Sequence, residues 1–220
     1  MKGPRPTLER EIAFWSAGGG VVAGVDEAGR GPLAGPVVAA AVVFPPHCKV
    51  IRGLRDSKLL PPVKRSRLAL VVRARALAIG VGAASVREID RLNIRRASIL
   101  AMRRALARLS IDPDAVLVDG LPCPELGRAH EAIVDGDAHC HSIAAASVIA
   151  KTVRDRLMDL LGGRYPRYAW ASNKGYGTPD HLAALAMFGF TAHHRKSFSP
   201  VVQLELTWRS VEDIEVGRGR

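Results

Sequence analysis

Two short apolar segments near the start of the chain constrain the fold most strongly. Residues 21–26 are rich in valine, and residues 37–44 are apolar throughout. Segments this short and this apolar are typical of strands that are covered on both faces. The residues between them are largely glycine and proline, which favour turns. The sequence therefore predicts a buried antiparallel pair of strands.

After this pair, helical and extended patterns alternate along the chain. The predicted helices cover residues 7–17, 62–77, 94–109, 142–161 and 181–187. Further strands are predicted at residues 78–85, 115–119 and 132–134. Alternation of this kind indicates an α/β fold in which helices cover the faces of a mixed sheet. Since no repeat or low-complexity linker interrupts the chain, we expect one domain spanning residues 1–220.

Charge and composition narrow the class of partner. The chain carries 32 Lys and Arg against 21 Asp and Glu, a net charge of +11, which favours a polyanionic partner such as nucleic acid. The longest apolar runs fall far short of the roughly 20 residues that span a bilayer, and the first residues lack a secretory apolar stretch. We therefore expect no membrane partner. Three widely spaced cysteines without a C-x-x-C pair predict a reduced, cytoplasmic protein.

Acidic side chains follow several of the apolar segments. Asp26 and Glu27 end the first predicted strand, and Asp119 ends a later one. Asp137 precedes a helix of small residues, where an aspartate is also a common N-cap, and spacing alone does not choose between it and Asp135. Carboxylates at the ends of buried strands cost desolvation energy unless they are paired. If these acids converge, their oxygen atoms suit two Mg²⁺ or Mn²⁺ ions, which can clamp an attack at phosphorus.

Seven short motifs occur in order between about residue 20 and residue 201. They are GVDEAGRGPLAGP at 24–36, DSK at 56–58, EID and NI within 88–94, VDG at 118–120, GD followed by SIAAASVIAK within 136–151, KGYGT at 174–178 and RKSFSP at 195–200. This ordered set closely resembles the motifs of the ribonuclease HII family. No long N-terminal extension of the related type HIII enzymes is present, which favours type HII.

The resemblance implies a ribonuclease H-like fold with a small C-terminal helical part. The catalytic core would cover about residues 20–160 and the helical part about residues 161–220. The resemblance also implies that Asp26, Glu27, Asp119 and Asp137 are the catalytic, metal-binding acids, with Mn²⁺ or Mg²⁺ as the cofactor. The match of Gly136-Asp137 to the family motif favours Asp137 over Asp135, whereas the sequence does not indicate which metal is preferred.

The family also supplies expectations for substrate binding. The loop Gly29-Arg30-Gly31 would contact the ribonucleotide, because glycine permits close approach of the backbone. Tyr176 would stack against the following deoxyribose. The residues expected to contact phosphates are Lys58, Lys174, Arg195 and Lys196. Taken singly, basic residues like these are more often solvated surface charges.

The activity implied by the resemblance is hydrolysis of the RNA strand of RNA–DNA hybrids. The enzyme would also cut on the 5′ side of ribonucleotides embedded in duplex DNA, and the products would carry 5′-phosphate and 3′-hydroxyl ends. This chemistry would serve ribonucleotide excision and removal of RNA primers. A monomer is expected, and residues 202–220 carry no motif that we can interpret.

Two other functions fit parts of the sequence. A non-catalytic nucleic-acid-binding module would explain the basic charge, but clustered carboxylates would repel phosphates unless metals intervened. A nuclease of the same fold acting only on DNA would not need Gly29-Arg30-Gly31 together with Tyr176. The run His139-Cys140-His141 lacks the second ligand pair of a zinc site. His193 and His194 are interpreted as loop or phosphate-facing residues, with a catalytic histidine as the alternative.

Overall fold

A computed structural model of the protein describes residues 5–199 and residue 201. The strands are β1 (Val22–Ala28), β2 (Val37–Val43), β3 (Ala78–Ala84), β4 (Ala115–Asp119) and β5 (Glu131–Ile133). The helices are α1 (Glu9–Ser16), α2 (Pro62–Arg75), α3 (Val86–Leu92), α4 (Ile94–Leu106), α5 (Gly136–His139), α6 (His141–Arg164), α7 (Trp170–Asn173) and α8 (Pro179–Phe188). Short 3₁₀ turns lie at Ser57–Leu59, Pro124–Leu126 and Pro166–Tyr168.

The strands form one mixed sheet in the order β3-β2-β1-β4-β5. β1 pairs antiparallel with β2 and parallel with β4, so it is bonded on both sides. β2 also pairs antiparallel with β3, and β4 pairs parallel with β5. The predicted buried hairpin is therefore confirmed as the centre of the sheet, and every residue of β2 is buried.

Helices cover both faces of the sheet, as predicted for an α/β fold. α6 packs against β1 and β2 on one face together with α2, and α4 packs against β2 and β3 on the other. The approach of α6 to β1 is so close that a Cβ on Gly24 would lie 2.2 Å from the carbonyl carbon of Ser142. The small residues at the start of α6 permit this contact, which brings α6 beside the end of β1.

Several element boundaries differ from the predictions. The predicted helix at 94–109 ends at Leu106, and α3 precedes it as a separate helix that had not been predicted. Asn93 separates the two helices with a left-handed φ of 68°, and its side chain accepts a hydrogen bond from the backbone of Arg96. α8 begins at Pro179 after the predicted cap residue Thr178, whose hydroxyl accepts from the backbone N–H of His181.

The predicted C-terminal helical part is formed by the end of α6, α7, α8 and the turn between α6 and α7. Its buried residues include Tyr168, Trp170 and Leu185, and they pack with Leu33 and Ala34 from the loop after β1. The helical part therefore supports the loop that the motifs predict to bind substrate. The uninterpreted segment at 202–220 lies outside the described residues. No described helix has the length and apolarity needed to cross a bilayer.

Candidate active site

The ends of β1 and β4 bring two of the predicted acids together. The strands are parallel neighbours in which Val25 pairs with Val118, so Asp26 and Asp119 follow at the same edge of the sheet. Asp26 is only 4% exposed, and its carboxylate accepts a hydrogen bond of 2.6 Å from the backbone N–H of Glu27. A cleft of about 310 Å³ opens beside Glu27 and Asp119. Three of the four predicted acids therefore lie at one end of the sheet.

The loop after β5 adds the fourth acid. The backbone N–H of Gly136 donates to Asp119 at 2.7 Å, which fixes the start of α5 against the end of β4. Asp137 is 8% exposed, whereas Asp135 is exposed to solvent and adopts a left-handed φ of 54°. Asp137 does not cap α6, because the N-cap is Cys140 and no side chain caps that helix. The spacing in the sequence did not distinguish Asp135 from Asp137 as a member of the acid cluster. In the structure, only Asp137 is buried beside Asp119.

Burial and mutual repulsion raise the pKa values of these acids. Burial raises the pKa of Asp26 well above its ordinary value, and the nearby charges of Glu27 and Asp119 raise it further. Burial also raises the pKa of Asp119. Burial and then the charges of Asp56 and Asp119 raise the pKa of Asp137 to about 7. Carboxylates with raised pKa values, gathered in one place, form a site that favours binding a cation.

Asp56 is a fifth acid of this cluster, and the sequence reasoning gave it no role. Its side chain hydrogen bonds with Asp137 and also accepts from the backbone N–H of Lys58 at 2.9 Å. Although burial lowers the pKa of Lys58, the charges of Asp56 and three other acids outweigh this effect and raise it. The only sequence signal for Asp56 was its place next to Lys58 in the DSK motif.

Two serines connect the cluster to α6. The Ser147 hydroxyl lies beside Asp26, where it partly offsets the rise in the Asp26 pKa, and its oxygen lies 2.9 Å from the hydroxyl oxygen of Ser57. The buried Arg65 holds the same 3₁₀ turn by donating to the Ser57 carbonyl at 3.0 Å. These contacts fix the segment that carries Lys58 against the end of β1.

The carboxylates of the cluster are suitable ligands for hard divalent cations. In the conformations of this structure, however, they do not surround a common ion position. All the acids offer oxygen atoms, which Mg²⁺ and Mn²⁺ prefer. Within residues 5–199 and 201, no three His, Cys, Asp or Glu side chains form a ready metal-binding cluster. Glu27 pairs with Arg30 at 3.2 Å, and Asp137 hydrogen bonds with Asp56. The acids thus lie together at one end of the sheet, while carboxylate oxygens of Glu27 and Asp137 interact with protein side chains and not with a metal ion.

The predicted ribonucleotide-binding loop lies directly after β1. Gly29 is buried with a φ of +98°, while Arg30 and Gly31 are exposed. Tyr176 is 43% exposed, and a Cβ on Gly31 would lie 3.8 Å from its ring. Among the hydrogen bonds of the described residues, none uses the backbone N–H of Arg30 or Gly31. The predicted loop and the predicted stacking residue therefore form one exposed surface beside the acids.

The basic residues predicted to contact phosphates have different surroundings. Lys58 is exposed at the acid cluster, as a phosphate contact requires. Lys174 is half-buried and forms an ion pair with Asp159. Arg195 has no exposed surface, and its guanidinium donates to the carbonyls of Gly29, Arg30 and Gly35. The predicted direct contact of Arg195 with substrate is wrong for this conformation, because its charge is buried beneath the loop.

Two of the candidate histidines, His141 and His194, are buried in the fold. His141 is buried and accepts from the backbone N–H of Ile51 at 3.2 Å, while His139 is exposed, so these residues form no zinc site with Cys140. His194 is also buried, and burial lowers its pKa to about 3. His194 therefore lies in the loop that follows α8, as one of the two interpretations had it, but it is buried and does not face a phosphate. The described cysteines form no disulfide.

Comparison with known proteins identifies the relatives of this site. The family model described as Ribonuclease HII matches residues 23–201. A ribonuclease HII of Thiobacillus denitrificans is 59% identical over 81% of this chain and 87% of its own. A ribonuclease HII of Granulibacter bethesdensis is 54% identical over 93% of this chain and 92% of its own.

The fold agrees with these sequence matches. The crystal structure of ribonuclease H2 from Pyrococcus horikoshii OT3 superposes with a TM-score of 0.66 at 26% identity, covering 86% of this chain and 99% of that one. A non-catalytic binding module and a nuclease specific for DNA therefore do not describe this chain. The chain matches the family model, is more than half identical to these relatives over most of both sequences, and has the same fold. It is therefore a member of the ribonuclease HII family and a hydrolase of the ribonuclease H type.

Proposed function

We propose that the enzyme cuts the RNA strand of RNA–DNA hybrids and cuts duplex DNA on the 5′ side of an embedded ribonucleotide. The observation that carries this proposal is the position of the buried acids next to an exposed glycine loop and an exposed tyrosine. The acids supply a site for phosphodiester hydrolysis, and the neighbouring loop supplies a surface that recognises the sugar. The net charge of +11 favours association with either duplex.

Four acids would hold two divalent cations, either Mn²⁺ or Mg²⁺. They are Asp26, Glu27, Asp119 and Asp137. When bound, such ions supply activation of water and stabilisation of the charge on the leaving oxygen. The chain contributes the fixed positions of the acids, since Asp119 accepts from Gly136 at 2.7 Å and Asp26 accepts from Glu27 at 2.6 Å. Lys58 adds a positive charge beside the acids, where it would bind a phosphate oxygen.

The proposed reaction is a hydrolysis at phosphorus. The oxygen of water forms a bond to phosphorus while the bond to the 3′-oxygen of the upstream nucleotide breaks. The ribonucleotide keeps the phosphate at its 5′ end, and the upstream strand receives a proton and ends in a 3′-hydroxyl. This cut would support the removal of embedded ribonucleotides and RNA primers from DNA, because it opens the strand next to them.

The loop and the tyrosine would distinguish ribose from deoxyribose. The backbone N–H groups of Arg30 and Gly31 lie at the surface without a described partner, so they can donate to the 2′-hydroxyl. The Tyr176 ring beside Gly31 offers an apolar face for the next deoxyribose. Lys174 and Arg30 are the nearby cations that would steer the phosphate backbone.

Other features of the proposal concern the whole protein. We expect a monomeric, cytoplasmic enzyme in which residues 1–220 form one domain, with a catalytic core at about 20–160 and a helical part at about 161–220. The free thiols are consistent with a reducing compartment. Size-exclusion chromatography with light scattering would test the oligomeric state, and a stable dimer would contradict it.

The role of the acids is tested by the variant Asp26→Asn. Cutting of a labelled hybrid should fall at least about 1,000-fold, because the variant loses one anionic ligand, while binding of the hybrid should change little. Electrophoretic mobility shift in the absence of metal measures the binding. Activity close to wild type would refute the assignment of the acids, and lost binding together with a lowered melting temperature would show only misfolding.

A further inference from the structure

Two buried arginines lie beneath the segment that we call the reading loop, residues 29–36. Arg154 on α6 and Arg195 both have 0% exposure. Neither forms an ion pair within residues 5–199 and 201. A buried charge is expensive unless hydrogen bonds and countercharges offset its desolvation. Here both guanidiniums donate to backbone carbonyls, so these side chains hold backbone segments together.

Arg195 holds the reading loop from one side. Its Nη2 donates to the Gly29 carbonyl at 2.6 Å and to the Gly35 carbonyl at 2.8 Å, and its Nη1 donates to the Arg30 carbonyl at 2.8 Å. The backbone N–H of Arg195 also donates to the Leu33 carbonyl at 2.8 Å. The two ends of the reading loop are thereby joined through one planar group.

Arg154 joins the reading loop to the turn that carries Tyr176. Its Nε donates to the Pro36 carbonyl at 3.0 Å and its Nη2 donates to the Ala34 carbonyl at 3.1 Å. Its Nη1 donates to the Lys174 carbonyl at 3.1 Å, two residues before Tyr176. Gly29 packs directly on this group, since a Cβ there would lie 2.0 Å from the Arg154 Nε. Arg154 is thus bonded to both halves of the proposed sugar-binding surface.

The other side of Tyr176 is held by His181. The Nδ1 of His181 lies 2.8 Å from the Tyr176 carbonyl, and its Nε2 lies 3.1 Å from both the Trp170 Nε1 and the His194 Nε2. Because the tryptophan N–H can only donate, His181 accepts at Nε2 and carries its proton at Nδ1. His181 therefore donates to the Tyr176 carbonyl as a neutral side chain. The Tyr176 turn is fixed from two directions.

We infer that Arg154 is a positioning residue that sets the spacing between the reading loop and Tyr176, and thereby the preference of the enzyme for a single embedded ribonucleotide. The inference rests on the proposed function. On a uniform RNA strand the next sugar is a ribose, so the proposed stacking of Tyr176 on a deoxyribose does not apply and cutting depends less on the spacing between the loop and Tyr176. At a single ribonucleotide the loop must contact the ribose while Tyr176 contacts the adjacent deoxyribose, so the two groups must be correctly spaced. A misplacement of about 1 Å can cost on the order of 100-fold in rate.

The test compares Arg154→Lys and Arg154→Met with wild type on two labelled substrates, an RNA–DNA hybrid and a DNA duplex with one ribonucleotide. Lysine keeps the charge but lacks the planar fork that reaches three carbonyls. The ratio of kcat/KM for the single ribonucleotide to kcat/KM for the hybrid should fall at least about tenfold in both variants. Arg128→Lys is the matched control, since Arg128 donates to the Pro113 carbonyl just before β4, at the end of that strand opposite to Asp119. It should keep the wild-type ratio.

A parallel loss on both substrates in folded variants would overturn the inference, because a merely structural role lowers both activities together. If wild type cuts the hybrid but never the duplex with a single ribonucleotide, the proposed function itself fails, which is a distinct result. Should both Arg154 variants fail to fold, His181→Gln and His181→Asn provide the second test. Asparagine places its amide near the Nδ1 position and can keep the bond to the Tyr176 carbonyl, whereas glutamine cannot, so only His181→Gln should lower the ratio. Equal ratios in these two variants would overturn the inference.

Discussion

Replacing Asp137 by asparagine should stabilise the metal-free protein at neutral pH while it inactivates the enzyme. Burial and the neighbouring charges raise the pKa of Asp137 to about 7 from an ordinary value of 3.8. The folded state therefore binds a proton more tightly than the unfolded state does. The stability of the metal-free protein should fall as the pH rises from about 4 to about 7, and it should stay low above that range.

The size of the effect follows from the difference between the two pKa values. Each pKa unit corresponds to about 1.4 kcal/mol, so a rise of about three units gives a ceiling of roughly 4 kcal/mol. The other acids share the repulsion and relax when one charge is removed, so we expect about 1–3 kcal/mol in Asp137→Asn at pH 8. For a chain of this size that is a rise in melting temperature of roughly 2–10 °C.

The assay is urea unfolding of wild type and variant in chelator at pH 8 and at pH 4.5. The gain should be present at pH 8 and nearly absent at pH 4.5, where the wild-type carboxyl is protonated. Asp135→Asn is the matched control, because Asp135 is exposed and lies two residues away. Mn²⁺ should stabilise wild type more than the variant. A variant that is less stable than wild type at pH 8, with or without a pH dependence, would refute the account of mutual repulsion.

Three further predictions follow from single contacts. Gly24→Ala places a Cβ 2.2 Å from the Ser142 carbonyl carbon, so it should lower the unfolding free energy by about 3 kcal/mol and remove most of the activity. An unchanged urea midpoint would contradict the close packing of α6 on β1. Tyr176→Ala removes a side chain that is 43% exposed, so the stability should hardly change. Cutting at a single ribonucleotide should fall more than cutting of a hybrid, and equal losses on the two substrates would argue against the stacking role of Tyr176. His194 has a pKa of about 3 because of burial, below its ordinary 6.5, so its contribution to stability is complete above pH 6.5 and is lost at about 1.4 kcal/mol per pH unit as the pH falls toward 3. Unfolding of His194→Gln between pH 7 and pH 5 should depend less on pH than unfolding of wild type, and equal slopes would contradict burial of a neutral histidine.

Local signals were enough to predict the centre of the fold. β1 and β2 are short, apolar and separated by glycine and proline, so their pairing depends on neighbouring sequence alone. The acids that end β1 and β4 were visible as charges after apolar runs. Their convergence depends on the parallel pairing of these strands, which spacing in the sequence does not show and which the pairing of Val25 with Val118 provides.

Features that depend on tertiary packing were harder to predict. Asp56 reaches the acid cluster because the 3₁₀ turn at Ser57–Leu59 is held against α6, and nothing in the local sequence indicates that contact. Arg195 was predicted to contact a phosphate of the substrate, yet it is buried, and its burial depends on carbonyls more than 150 positions earlier in the chain. The missed helix α3 had a visible signal, since Ser85 and Glu88 form a capping box.

The central claim is tested most directly by mapping the cut in a duplex that carries one ribonucleotide. The purified enzyme is incubated with this end-labelled duplex and with an all-DNA control, in Mn²⁺, in Mg²⁺ and in chelator. The account predicts one metal-dependent nick on the 5′ side of the ribonucleotide, with 3′-hydroxyl and 5′-phosphate ends, and no cut in the control. A nick on the 3′ side, cutting in chelator, or tight binding without any cut in either metal would contradict it.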